Sequence, residues 1–296
     1  MSRKISPKTK EHLMKIVSDV IDALPLNNES AQKLEEKDNL PQKLRELFIP
    51  LIRPLLWEGS GYPKLYRRRP VEQQLAILNK VFDIDTEESL EYYNQVISLK
   101  KLPLGAEGYF AIPRVSAIAK KHFPEITNPV EQYRVAAVLA LKKLGESRPM
   151  DNYRIGYFEK RLLNSRPQWL WISKDYYSYQ PGDVVITPAQ LGRRYFGKTT
   201  MCAIQKRFFE DHEFPLGIFE AACLLLTHPK RLSINAGLPM ICTDSAIKRN
   251  GREEYPIFVT EEENEFFPDR VWWQHQIGGF EESRGFITGF RCDFNS

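Results

Sequence analysis

Amphipathic helical patterns fill the first half of this chain, and strand patterns follow mainly in the second half. Apolar side chains three and four positions apart predict a helix over residues 6–24, and the same spacing recurs further along. The other helices predicted in this half cover residues 41–48, 70–82, 86–99, 116–123 and 128–144. Helices that precede the strands are typical of an α+β fold, because an alternating α/β fold interleaves the two.

Aromatic and β-branched residues become denser after residue 150. The patterns predict short strands at residues 108–112, 168–173 and 183–187, a helical section over 188–232, and then an antiparallel β-meander. The members of the meander are residues 240–243, 255–260, 265–273 and 285–290. We therefore expect a mainly helical region over residues 1–150 and an α+β region over residues 151–296, which can pack as one domain.

The net charge of +4 over 296 residues is far below the density that by itself implies nucleic-acid binding. The basic residues nevertheless occur in short runs at residues 67–69, 100–101, 120–121, 142–143, 193–194, 206–207, 230–231 and 248–249. The sequence leaves open whether any of these runs meet on one face of the protein.

No targeting or membrane segment is evident in the chain. Residues 1–4 are not followed by an apolar segment of signal-peptide length, and no stretch approaches the roughly 18 apolar residues that a membrane helix needs. We expect a cytoplasmic protein with no membrane partner. The cysteines at 202, 223, 242 and 292 have no CxxC spacing, so we expect reduced thiols, no metal site and no cofactor.

Residues 192–199 match the G-x-x-x-x-G-K-[ST] pattern of a phosphate-binding P-loop. In this hypothesis the nucleotide is held by Gly192, Gly197, Lys198 and Thr199, and Asp244 holds magnesium. The four variable positions are all bulky, where small residues form a tight anion nest most easily. A P-loop domain also requires parallel strands with helical crossovers, which the predicted α+β order does not provide.

The same segment fits a helical hairpin over residues 187–209. Thr187 before Pro188 has the form of a helix N-cap with a first-turn proline, which predicts helices at 188–195 and 199–209. The pair resembles a helix-turn-helix. It departs from that family because the spacing from Leu191 to the turn glycine Gly197 is one residue too long, and because Lys206 occupies a position that the family keeps apolar. The residues that would contact nucleic acid are Arg193, Arg194, Lys198, Thr200, Gln205, Lys206 and Arg207. An ordinary surface hairpin with basic side chains explains the same pattern without any ligand.

One further set of residues has catalytic potential. Cys242, Asp244 and either His228 or His275 supply the residue types of a thiol nucleophile, its orienting acid and its base. His228 has a simpler interpretation, because an imidazole before Pro229 at a helix end commonly caps that helix.

Three segments of the second half resemble a group of uncharacterised bacterial proteins from small genomes. They are residues 213–217, 225–232 and 241–244. The resemblance implies a bacterial, cytoplasmic protein and carries no mechanism. The function that the sequence favours is binding of nucleic acid or another polyanion through residues 187–209. A P-loop nucleotide enzyme and a structural or interaction protein are the alternatives, so the sequence does not decide whether the chain is an enzyme.

Overall fold

The computed structural model divides the chain into two compact units, Met1–Pro50 and Leu51–Ser296. In the first unit it describes only Lys15, and every element discussed below lies in the second unit. There it describes residues 66–103, 105–148, 168–175, 177–192, 213–232, 240–242, 247–249, 252–259, 270–275 and 285–290.

Most helices of the described residues lie where the apolar periodicity predicted them, and α5 is the exception. They are α1 (Val71–Phe82), α2 (Glu87–Gln95), α3 (Val115–His122), α4 (Pro129–Ser147), α5 (Gln168–Asp175) and α6 (Ile218–Thr227), with 3₁₀ turns at Ile97–Leu99 and Pro229–Arg231. Asn128 caps α4 by accepting hydrogen bonds from the amides of Val130 and Glu131. Among the described helices none is long and apolar enough to span a bilayer.

The strands of the described residues form one mixed sheet. They are β1 (Gly108–Pro113), β2 (Val184–Leu191), β3 (Glu213–Pro215), β4 (Met240–Ile241), β5 (Ile247–Arg249), β6 (Arg252–Val259), β7 (Arg270–His275) and β8 (Gly285–Phe290). The α+β fold class is thereby confirmed. The main path runs β1-β2-β8-β4-β6-β5, while β3 pairs with β8 and β7 pairs with β6. All pairings are antiparallel except that of β4 with β8.

Strand β8 does not extend the predicted meander at its edge. It inserts between β2 and β4, where Ile287, Thr288 and Phe290 are buried. A strand that is buried on both faces suits a central position in a sheet. Elements from both sides of residue 150 therefore share one sheet, because β1 and β2 pair over their full common length.

The predicted helix at residues 188–195 is wrong over the residues that the structure describes, because β2 continues through Leu191. Pro188 sits opposite Tyr109 of β1 in this strand. The carbonyl of Ala189 accepts from the amide of Glu107 on the β1 side, so the nitrogen of Pro188 faces the other edge. Pairing with β8 on that edge begins only at Ala189, and the missing N–H therefore breaks no ladder bond.

The predicted strand at residues 168–173 is also wrong, because this segment forms helix α5. Its Trp and Ile content favoured a strand. In the structure Trp169 and Ile172 are both buried, and a spacing of three places both on one helical face. Trp169 packs against Tyr177 and Phe214 in the core.

Candidate anion-binding site

Two of the basic runs, residues 67–69 and 230–231, meet at one surface pocket of about 280 Å³. The pocket lies where the chain enters α1 and where it leaves α6. We call it the arginine pocket, and its lining residues are Tyr66, Arg67, Arg68, Arg69, Pro70, Gln73, His228, Pro229 and Lys230. Four of these side chains are cationic, and none of the lining residues that the structure describes is acidic. The sign of the charge therefore favours an anion.

Two buried side chains hold the main chain of Arg69. Its amide donates to Nε2 of His228 over 3.1 Å, and its carbonyl accepts from Nε2 of Gln74 over 2.8 Å. Gln74 also pairs with the outer edge of β1, since it donates to the carbonyl of Tyr109 and accepts from the amide of Ala111. The arginine run is therefore attached to both the helical layer and the sheet, and it enters the pocket preorganised.

His228 is a neutral structural residue in this arrangement. Thr227 Oγ1 lies within hydrogen-bond distance of the carbonyls of Cys223 and Leu224 and is 2.9 Å from Nδ1 of His228. Because Nε2 accepts from Arg69, the proton belongs on Nδ1. Burial, with a smaller contribution from the positive charges of Arg69 and Arg68, lowers the pKa of His228 to about 4. His228 follows the last residue of α6, as the sequence predicted, but it works as a neutral acceptor.

Arg68 lies across the start of β1. Its Nη1 donates to the carbonyl of Glu107. A Cβ atom added to Gly108 would come within 2.2 Å of Arg68 Cδ and 2.4 Å of Arg68 Nη1. Only glycine at position 108 leaves room for the arginine in this position, so the side chain of Arg68 depends on the residue beneath it.

The end of β2 is bonded to neighbours of the pocket residues. The amide of Leu191 donates to Oε1 of Glu107 over 3.0 Å, and its carbonyl accepts from Nη2 of Arg231. Arg231 is fully buried, and its neighbour Lys230 is exposed and lines the pocket. The last strand residue before Gly192 is therefore bonded to Glu107, whose carbonyl accepts from Arg68, and to Arg231, the neighbour of Lys230.

Gly192 is the one residue of the P-loop pattern that the structure describes. It follows β2 directly with φ of 113°, a left-handed conformation that favours glycine. Its amide donates to Oε1 of Gln190 over 2.8 Å, so this N–H is already engaged. Strand β2 is antiparallel to both of its neighbours, whereas a P-loop strand lies in a parallel sheet. The other residues of that hypothesis, Gly197, Lys198, Thr199 and Asp244, lie outside the described residues.

The residues proposed to contact nucleic acid also lie outside the described residues. They are Arg193, Arg194, Lys198, Thr200, Gln205, Lys206 and Arg207. The second helix of the predicted hairpin lies there too, while the described part of the first helix is a strand. The runs at 67–69 and 230–231 are visible in the sequence, but no local pattern joins them, because residues 69 and 228 are 159 positions apart.

The thiol hypothesis gains no support from the described residues. Cys242 and Cys223 are free and fully buried, and burial raises the pKa of both thiols well above their usual value. Asp244 lies outside the described residues, and nothing is described of the His275 side chain. Within the described part of the chain, no group of His, Cys, Asp or Glu residues is arranged to hold a metal.

Comparison of the chain with protein-family models, with curated proteins and with solved structures gives no match.

Proposed function

We propose that this protein binds nucleic acid, or another polyanion, through the arginine pocket and the basic residues that follow Gly192. The observation that carries the proposal is the meeting of Arg67, Arg68, Arg69 and Lys230 at one preorganised pocket. Basic side chains at such a surface bind phosphates by neutralising them and releasing their counterions. Arg193 and Arg194 come directly after Gly192 in the sequence, so the proposal includes them.

The anchored main chain of Arg69 favours a binding function. The alternative is that these basic side chains are merely solvated and bind no ligand. Flexible basic side chains lose conformational entropy when they bind, and a preorganised main chain lowers that cost. Arg67 and Arg68 expose their side chains, while the backbone beside them is held by His228 and Gln74. A pocket of this kind recognises the phosphate backbone and carries no preference for base sequence.

The test is the binding of labelled oligonucleotides at low salt, measured by fluorescence anisotropy. The double variant Arg67→Ala/Lys230→Ala should bind at least about tenfold more weakly than the unaltered protein, which corresponds to about 1.4 kcal/mol. The matched control is Lys80→Ala/Lys120→Ala, which removes the same charge from the last turns of α1 and α3, outside the arginine pocket. Equal losses of affinity in the two double variants would show that only net charge matters, and this result would contradict the proposal.

Three probes identify the polyanion in the same assay. Single-stranded RNA, duplex DNA and heparin share a high charge density but differ in backbone shape. Nucleic acid is the ligand if an oligonucleotide binds more tightly than heparin at equal ionic strength. Tighter binding of heparin assigns the site to another polyanion, and failure of all three probes to bind at low salt removes the proposal.

The nucleotide-binding alternative predicts a different result. ATP or GTP with magnesium should raise the melting temperature, and Lys198→Ala should abolish the rise. The direct entry of β2 into Gly192 is the observation in its favour, and the antiparallel sheet is the observation against it. An unchanged melting temperature at millimolar nucleotide would eliminate this alternative.

A further inference from the structure

We propose a second ligand site, for a small organic anion, at the opposite end of β1 from the arginine pocket. A cavity of about 400 Å³ opens where the chain leaves β1 and enters α3, and α5 forms another of its walls. Its polar lining comprises Arg114, Ser116, Gln132, Lys174 and Ser178. The inference is independent of the proposed function, because the two sites share no lining residue.

The cation at the cavity wall is fixed in place. Nε of Arg114 donates to the carbonyl of Gly182 over 3.0 Å, and Nη2 donates to the carbonyls of Tyr177 and Gln180. Burial lowers the pKa of Arg114, but an arginine keeps its charge at neutral pH, and nearby Asp183 favours the charged form. The guanidinium therefore contributes a permanent positive charge that does not move when a ligand enters.

The loop that holds Arg114 is itself rigidly attached. Gln180 is buried and forms two hydrogen bonds with the main chain of Ile186 in β2, one to its amide over 2.8 Å and one to its carbonyl over 3.0 Å. Ser89 Oγ lies within hydrogen-bond distance of the carbonyls of Pro181 and Val184 and accepts from the amide of Val184, which fixes the other end of the loop. The wall that carries the cation is thus preformed, as in most small-molecule sites.

The rest of the lining fits an anion that carries an apolar body. Lys174 is exposed at the cavity and adds a second positive charge, while the hydroxyls of Ser116 and Ser178 can donate hydrogen bonds. Val115 and Leu170 supply apolar surface in the same lining. None of the lining residues that the structure describes carries a carboxylate. The ligand class that matches is a carboxylate or phosphate head group on a compact hydrophobic body.

The experiment uses inorganic phosphate, phenyl phosphate and benzoate as probes against the full chain. Titration calorimetry and thermal melting are both recorded for the unaltered protein, Lys174→Glu and Ser116→Asp. We expect saturable binding of phenyl phosphate or benzoate, weakened about tenfold or more in each variant because a negative charge now faces the anion. Ser116→Asp places a carboxylate in the first turn of α3, which favours the helix, so its melt without probe should not fall.

The probes distinguish a carboxylate from a phosphate head group. A control variant distinguishes binding at this cavity from a general effect of net charge. Lys120→Glu makes the same charge reversal in the last turn of α3 and should leave probe binding unchanged. Binding of benzoate alone assigns a carboxylate head group, and binding of phenyl phosphate alone assigns a phosphate. Equal affinity for inorganic phosphate and phenyl phosphate would contradict the inference that the ligand carries an apolar body. No saturable binding of any probe at millimolar concentration, or equal loss in Lys120→Glu, would overturn the site.

Discussion

The amide of Arg69 donates a hydrogen bond to Nε2 of His228 across 159 positions of the sequence. This contact joins the start of α1 to the end of α6 and brings the arginine run alongside Lys230. The ring of His228 also packs edge-on against Phe110 of β1, with centroids 5.2 Å apart. One buried imidazole therefore connects the proposed binding surface to the core.

Removal of this imidazole should weaken both the fold and the binding surface. His228→Ala deletes a buried ring and the acceptor of the Arg69 amide, so we expect a loss of about 2–4 kcal/mol in the free energy of unfolding. Oligonucleotide binding should weaken in folded protein because Arg69 is no longer held. His228→Gln keeps a hydrogen-bond acceptor and should recover part of both losses.

Urea unfolding and anisotropy measure the two effects of His228→Ala, and His122→Ala is the control. His122 is half-buried, and its Nε2 contacts the carbonyl of Phe82 at the far end of α1. The His122→Ala variant should lose less stability than His228→Ala and should bind oligonucleotide as tightly as wild type. Unchanged binding by folded His228→Ala would show that the contact with Arg69 does not organise the pocket.

Gly108→Ala tests the position of Arg68 without changing a charge. The new Cβ would occupy the space of the Arg68 side chain, whose flexible end can move aside. We expect oligonucleotide affinity to fall by about threefold to tenfold, while the melting temperature changes little. Gly289→Ala is the contrasting variant, because its Cβ would lie 2.2 Å from Cζ of the buried Phe214 ring and should cost about 1–3 kcal/mol of stability. Full affinity in Gly108→Ala would contradict the proposed role of Arg68.

Because the pKa of Glu220 is raised, the free energy of unfolding should fall as the pH rises towards and through neutrality. Burial raises its pKa from 4.5 to about 7, although the Gly217 amide and the Tyr133 hydroxyl both donate to its Oε2. Between pH 4.5 and 7 the folded chain holds a proton here that the unfolded chain has released. The free energy of unfolding therefore decreases as the pH rises through this range.

Glu220→Gln isolates this contribution, because an amide imitates the protonated carboxyl and does not titrate. The stability of wild type relative to this variant should decline from pH 4.5 to 8 by a few kcal/mol, at about 1.4 kcal/mol for each pKa unit. His228 acts in the opposite direction, since its lowered pKa makes the fold lose stability as the pH drops from 6.5 to about 4. Both proteins contain His228, so its contribution cancels when the stability of the variant is subtracted from that of wild type. A difference that stays constant with pH would contradict the raised pKa.

Cys242 and Cys223 should resist alkylation in the native protein. Both are buried with raised pKa values, so neither supplies a thiolate at neutral pH. Iodoacetamide labelling followed by peptide mass spectrometry should modify them orders of magnitude faster in urea than in buffer. Rapid native labelling of Cys242 would restore the nucleophile hypothesis.

Local patterns were sufficient for much of the fold. The periodicity of apolar residues placed α1 and α4 within a few residues, and the meander pattern located β6, β7 and β8. The interpretation of residues 187–191 was wrong because Thr187-Pro188 is compatible with a helix N-cap and also with a strand. Pairing with β1 decided between them, and such pairing is tertiary information.

The candidate site was less accessible from sequence than the fold. The basic runs were visible, but the hydrogen bonds of Arg69 with His228 and Gln74 determine which of them meet. Gln74 has no distinguishing pattern in the sequence, because a glutamine in an amphipathic helix usually faces solvent. Here it is fully buried and pairs with the edge of β1. Contacts between distant segments of this kind are not encoded by any local spacing.

The most direct test of polyanion binding at the arginine pocket is the salt dependence of oligonucleotide affinity. The slope of log K against log salt concentration should become less steep in Arg67→Ala/Lys230→Ala, by roughly 0.7 to 0.9 for each phosphate that the variant no longer neutralises. Lys80→Ala/Lys120→Ala should keep the wild-type slope. Identical slopes in all three proteins would contradict the account, because the pocket would then neutralise no phosphate.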